Sequence, residues 1–163
     1  MAEIKLLEYS QGNKFLDFYK KNSIENEKKY FCCYDYDFST FSDVAIGRLL
    51  FDYQILIYCN IDKGEIINYM VFRVPLLIEN STALSIMIMD MSDIGFIKKV
   101  FQLSKEKFSK LGWTKISLTA LRYQLTEELS STLENVGLKE ELILNSATEE
   151  LDRIEYAYLF EEK

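Results

Sequence analysis

Between Tyr30 and Phe41 the chain reads Tyr-Phe-Cys-Cys-Tyr-Asp-Tyr-Asp-Phe-Ser-Thr-Phe, with rings at Tyr30, Phe31, Tyr34, Tyr36, Phe38 and Phe41 and carboxylates at Asp35 and Asp37. Ring faces and carboxylates both attract an ammonium or guanidinium group, so this segment is a candidate wall for a site that takes an amine or a cationic side chain. The same residues also suit a satellite core in which rings bury one another and the aspartates face water. Cys32 and Cys33 are adjacent and Cys59 stands apart, an odd set that implies no disulfide framework; the pair is either a redox couple or two small buried hydrophobes. The chain has no histidine, which removes Ser-His and Cys-His nucleophile pairs and argues against a zinc site; no metal is expected.

The charge balance narrows the partners. The 19 basic and 26 acidic residues leave a net charge of −7, and the lysines are scattered among acids rather than gathered on one face. Affinity for nucleic acid comes from neutralising phosphates, so a nucleic-acid partner is not expected. An acidic field favours cationic or amine-bearing molecules. Hydrophobic residues at 48% and charged residues at 28% describe a globular chain. No apolar run approaches the roughly 20 residues that cross a bilayer, and the first residues lack a signal-peptide pattern; no membrane partner and a cytoplasmic location are the expectations.

No linker or repeat divides the 163 residues, so one domain over 1–163 is expected. A short opening strand covers Ile4 to Tyr9, and a helix from Gln11-Gly12-Asn13 carries Phe15, Leu16, Phe18 and Tyr19 on one stripe. Ser42-Asp43 caps a second helix. Tyr53 to Asn60 and Ile66 to Leu77 read as a hairpin around Asp62-Lys63-Gly64-Glu65, with Pro75 late in its second strand marking a bulge or an edge. Ser81 to Met91 is a nearly all-apolar strand, in which Met87, Met89 and Met91 alternate onto one side. A long helix from about Asp93 to Leu111 stops at Gly112, and Thr114 to Leu121 is a strand, which together make a right-handed parallel crossover. Thr126-Glu127-Glu128 opens a helix that ends at Gly137, and strands at about Glu140–Asn145 and Arg153–Phe160 close the chain.

This order resembles the GNAT (N-acetyltransferase-like) family over nearly the whole chain. Leu133-Glu134-Asn135-Val136-Gly137-Leu138 is similar to that family's helix ending, and Lys110-Leu111-Gly112-Trp113 before Lys115-Ile116-Ser117-Leu118 is typical of it. The resemblance implies an α+β fold with a mixed, largely antiparallel sheet and helices on both faces. It also implies transfer of an acyl group from acetyl-CoA or another acyl-CoA to a small-molecule or peptide amine. The coenzyme A pyrophosphate would sit at the start of the long helix, on the segment Met91, Asp93, Ile94, Gly95 and Phe96, because a helix N-terminus presents unpaired donors.

The family's Arg/Gln-x-x-Gly-x-Gly/Ala loop is degenerate here. With Gly95 at the last glycine, Asp93 replaces the first and Asp90 the Arg/Gln, so two carboxylates face where phosphates belong; Lys98 and Lys99 offer some offset one turn in. By the same resemblance, Asp90 at the strand end is the candidate general base, or a cap for the next helix. The family's general-acid tyrosine corresponds to Leu133, which carries no proton, and Tyr123 is the nearby substitute. The resemblance also assigns the region around Tyr30–Phe41 to acceptor binding. Three expectations follow: an acyltransferase with an altered loop, a non-catalytic module binding a ligand or protein in the same cleft, and a homodimeric scaffold joined through the aromatic segment.

Overall fold

The computed structural model of the chain describes residues 2–22, 29–33, 37–76, 79 and 81–161. Tyr34, Asp35 and Tyr36 of the aromatic segment, Leu77 at the expected strand end and Asn80 lie outside them. The elements run β1 (Glu3–Leu6), α1 (Gly12–Asn22), β2 (Tyr30–Cys32), α2 (Asp43–Phe51), β3 (Ile55–Asp62), β4 (Glu65–Arg73), β5 (Ala83–Asp90), α3 (Ile94–Phe108), β6 (Lys115–Leu121), α4 (Glu127–Val136), β7 (Lys139–Leu144) and β8 (Arg153–Leu159).

The strands form one sheet in the order β1-β3-β4-β5-β6-β8-β7, antiparallel except where β5 runs parallel to β6. Strand alternation sorts side chains onto two helical layers. Ile55, Ile57 and Cys59 of β3 pack with Phe15, Leu16, Ile46 and Leu50 from α1 and α2. Leu56 and Tyr58, on the other face, pack with Phe96, Ile97, Val100 and Phe101 of α3 and with Leu129 and Leu133 of α4. The fold is thus α+β, with helices on both faces of a mixed and largely antiparallel sheet.

Local chemistry sets the joints. Lys63 and Gly64 both have positive φ, 52° and 86°, as the tight β3–β4 hairpin requires. Helix α3 is capped by Asp93, and the chain leaves it through Gly112 at φ 89°, a left-handed stop that turns it back toward β6. Three expectations need correction. The opening strand ends at Leu6, and Tyr9–Gln11 is a 3₁₀ turn. Pro75 lies beyond the end of β4 rather than inside it, where it costs no ladder bond. Met87 and Met89 face opposite layers, because the β4–β5 register slips between Val71–Ile88 and Phe72–Ile86 and leaves Met87 as an extra residue.

β5 holds the centre through both edges. Ser85 pairs at once with Arg73 of β4 and Ser117 of β6, so those two strands flank it. Three residues on, Ile88 pairs with Val71 of β4 and with Cys32 of β2. The edge away from β4 therefore changes partner: β6 holds its first half and β2 its second. Pairing of β5 with β6 is limited to Ala83–Lys115, Leu84–Ile116 and Ser85–Ser117; beyond it the two strands diverge, and β2 enters the gap between them.

Candidate functional site

Strand β2 is seated in that gap from both sides. Along β5 its register is Tyr30–Asp90, Phe31–Met89 and Cys32–Ile88. Toward β6, the Cys33 thiol donates to the Thr119 carbonyl at 3.3 Å, and the Gln124 amide nitrogen donates to the Cys32 carbonyl at 3.4 Å. Phe31 and Cys33 point into the α3/α4 layer, while Tyr30 points into the α1/α2 layer, as a true strand of the sheet must. Burial, with the neighbouring Cys32 thiol adding to it, pushes the Cys33 thiol up to about 12, which keeps it a protonated donor.

At the C-terminal end of β5, Asp90 is wholly shielded from solvent. One carboxylate oxygen accepts from the Ser92 backbone N–H at 2.8 Å and from its hydroxyl at 2.6 Å, closing the turn into α3. The other lies 3.2 Å from the Lys29 ammonium, which also sits 5.3 Å from the centre of the Tyr30 ring. A buried carboxylate needs such a counter-charge. Burial, and secondarily the negative charge of Asp90, pushes the Tyr30 phenol far above its usual range, so it stays neutral. Asp90 thus holds an amine already, and the amine belongs to the chain itself.

The start of α3 is closed in the same way. One oxygen of Asp93 accepts from the Phe96 backbone N–H at 2.9 Å, and the other accepts from the Asn68 side chain at 3.1 Å. The Met91 backbone N–H donates to the Lys29 carbonyl at 2.8 Å. A pyrophosphate at this turn needs those backbone donors and meets two carboxylates instead, so the residues present do not fit it. Ile94 and Gly95 form the first turn of α3 behind the Asp93 cap, and Lys98 and Lys99 are exposed.

The other sequence candidates lie apart from this cluster. Tyr123 follows β6, 56% exposed, on the far border of the gap from Asp90. Leu133, which the resemblance sets in place of a general-acid tyrosine, is buried in the α3/α4 core. Of the aromatic segment, Phe38 is fully buried against Phe15, Tyr19 and Phe41, and Tyr30 stacks on Tyr69 with centroids 4.5 Å apart, which is core packing. Asp37 accepts from the Ser39 hydroxyl and backbone N–H and from the Tyr19 hydroxyl, bonds that hold its carboxyl below the usual range. Burial raises Tyr19 to about 12. Among the described residues no group of three or more His, Cys, Asp or Glu side chains could hold a metal ion, and no helix is long and apolar enough to cross a membrane.

No family model matches the sequence, and no curated protein matches it. Solved structures do. An acetyltransferase of the GNAT family from Streptococcus pneumoniae superposes over 98% of this chain and 99% of its own, with a TM-score of 0.70 at 12% identity. The chain has the GNAT fold. A ribosomal-protein α-N-acetyltransferase, RimL, in complex with coenzyme A covers 97% of the chain and 93% of its own at TM-score 0.65 and 14% identity. A spermidine N-acetyltransferase from Vibrio cholerae covers 98% and 94% at TM-score 0.64 and 15% identity. At such identities the likeness is one of fold.

Lys29 as the partner of Asp90, and the strand character of Tyr30–Cys32, are what sequence reasoning missed. The run Tyr30-Phe31-Cys32-Cys33 has strand-forming chemistry, a signal that was available. Its pairing with β5, 56 to 60 residues onward, left no local mark.

Proposed function

We propose that this chain is a GNAT-type N-acyltransferase closed by its own strand β2, which neither binds acyl-CoA along the β5 edge nor transfers an acyl group to an amine until that strand leaves the gap. The Asp90 and Asp93 carboxylates keep the carrier's pyrophosphate off the start of α3, so its arm carries the binding. One observation carries the reading: β2 lies hydrogen-bonded along the β5 edge where β5 and β6 part. An extended, amide-bearing chain is what this slot accepts, and the acyl carrier of the GNAT neighbour RimL, coenzyme A, has an extended, amide-bearing arm. The buried Asp90 beside an ammonium is the other half of the support, since it holds an amine at the end of that slot. Spermidine and ribosomal-protein amines, named for the neighbours, give the class of acceptor to test.

Thermal melting with acetyl-CoA tests closure. A ligand at 100 times its Kd adds about 2.7 kcal/mol to stability. For a chain of this size that is a rise of roughly 5–10 °C. The native chain is expected to move by less than about 1 °C at millimolar acetyl-CoA. A rise of several degrees at micromolar acetyl-CoA overturns closure.

A second reading, a non-catalytic module of the same fold, is favoured by the Asp93 cap across the start of α3 and by Leu133, which the resemblance sets in place of a general-acid tyrosine. Under it no variant that frees the gap gains binding of acetyl-CoA or releases coenzyme A thiol in the presence of spermidine.

A further inference from the structure

We propose that the Lys29–Asp90 ion pair is the latch that pins β2 in the gap, an autoinhibitory contact in which the chain's own ammonium takes the place of an external amine. The inference rests on the closed-acyltransferase reading, and its test is separable from that reading. Three features of the geometry carry it.

The first is where the pair sits. Lys29 immediately precedes β2, and Asp90 is the last residue of β5, so the contact ties the first rung of the β2–β5 ladder. The Lys29 carbonyl doubles the tie through the Met91 N–H. The second is asymmetry. Asp90 has no exposure, whereas the Lys29 side chain keeps 32% of its own. Ser92 holds one carboxylate oxygen through two hydrogen bonds, and the other, which has no hydrogen bond of its own, faces the lysine, the more exposed partner. The groups facing the ammonium are the Asp90 carboxylate and the Tyr30 ring, the pair of surfaces an incoming primary ammonium would need. The third is the brevity of the ladder. β2 is three residues long and its described ladder is three pairs with β5, whereas β6, with as few pairs to β5, is held by seven more to β8, so an end contact weighs heavily in whether β2 stays.

The chain carries its own reporters. Cys33 is shielded while β2 is seated, and Cys59, in β3, is shielded by the α1/α2 layer as well as by Tyr30. The experiment is alkylation by iodoacetamide, with each thiol read separately by peptide mass spectrometry, in the full chain and in Lys29→Ala and Asp90→Asn. If the pair is the latch, Cys33 reacts roughly tenfold faster in both variants while Cys59 keeps its native rate, because the opening is local. n-Butylamine reproduces the lysine side chain's charged end; at about 10 mM it slows Cys33 in Lys29→Ala by severalfold and has no such effect in Asp90→Asn.

Unchanged Cys33 rates in both variants overturn the latch. So does acceleration of Cys33 only in step with Cys59, because the pair then supports the whole fold rather than the strand. The separate arm is melting of Lys29→Ala with acetyl-CoA. Freed Cys33 without a thermal shift leaves the latch standing and removes the acyl-CoA reading; a shift supports both.

Discussion

The two halves of β5 differ in what holds their outer edge. In the first half, Ala83–Ser85 run parallel to β6, and hydroxyls reinforce the seam: Thr82 with Thr114 at 2.7 Å just before it, and Ser85 with Ser117 at 3.3 Å. That partner is built into the fold, delivered by α3 and the left-handed turn at Gly112. In the second half the partner is a three-residue strand from far upstream, tied at its end by one ion pair. One half is permanent architecture, and the other is a filled vacancy in a sheet that would otherwise fork. The difference teaches that one strand edge can be shared between a partner set by the fold's crossover and a short segment from far upstream.

Core truncations break or sharpen this contrast most. Phe72 is fully buried in β4, and Phe72→Ala should cost about 3–5 kcal/mol in urea unfolding, as large-to-small changes in a rigid core do. Phe31 is buried as well, in β2. If β2 can lift out, Phe31→Ala should cost only about 1–2 kcal/mol, because the loss is limited to the free energy of local opening. Equal costs for the two would mean that the strand is as permanent as β4. Smaller is Asp93→Ala, which removes the cap on α3 and should cost about 1 kcal/mol. Smallest is Lys115→Ala in the half paired with β6. Its pair with Glu141 is partly exposed, so a cost below about 1 kcal/mol is expected, with no change in the rate at which Cys33 is alkylated.

Much of the permanent half was legible in the sequence. The stripe Ile97, Val100, Phe101 and Phe108, the Gly112 stop and the Thr126 cap are local signals, and each lies where its chemistry puts it. The site was legible only in outline. Asp90, Asp93 and Gly95 do gather at the β5–α3 turn, because adjacency in sequence is enough to bring them there. The partners that define them are remote: Lys29 for Asp90, and Asn68 for Asp93. Tyr123 was chosen by nearness in sequence to the α4 start, and the 3₁₀ turn at Arg122–Gln124 leaves it in solvent, where nothing in the ring's own chemistry could have announced it. Alternation likewise misleads where an extra residue enters a strand, as at Met87.

That extra residue also decides which way Asp90 looks. A strand is a two-beat pattern, and a residue set outside the beat leaves everything after it facing as though it were absent. With Met87 outside the β4–β5 ladder, Met89 turns toward α3 and α4, and Asp90 turns to the opposite layer, beside Tyr30. Deleting that methionine would regularise the strand and leave Asp90 where it is, whereas pressing Met87 into the ladder would swing the carboxylate through half a turn, toward the layer of Phe96 and Phe101. The chemistry at the end of β5 is therefore a matter of counting as much as of residue type.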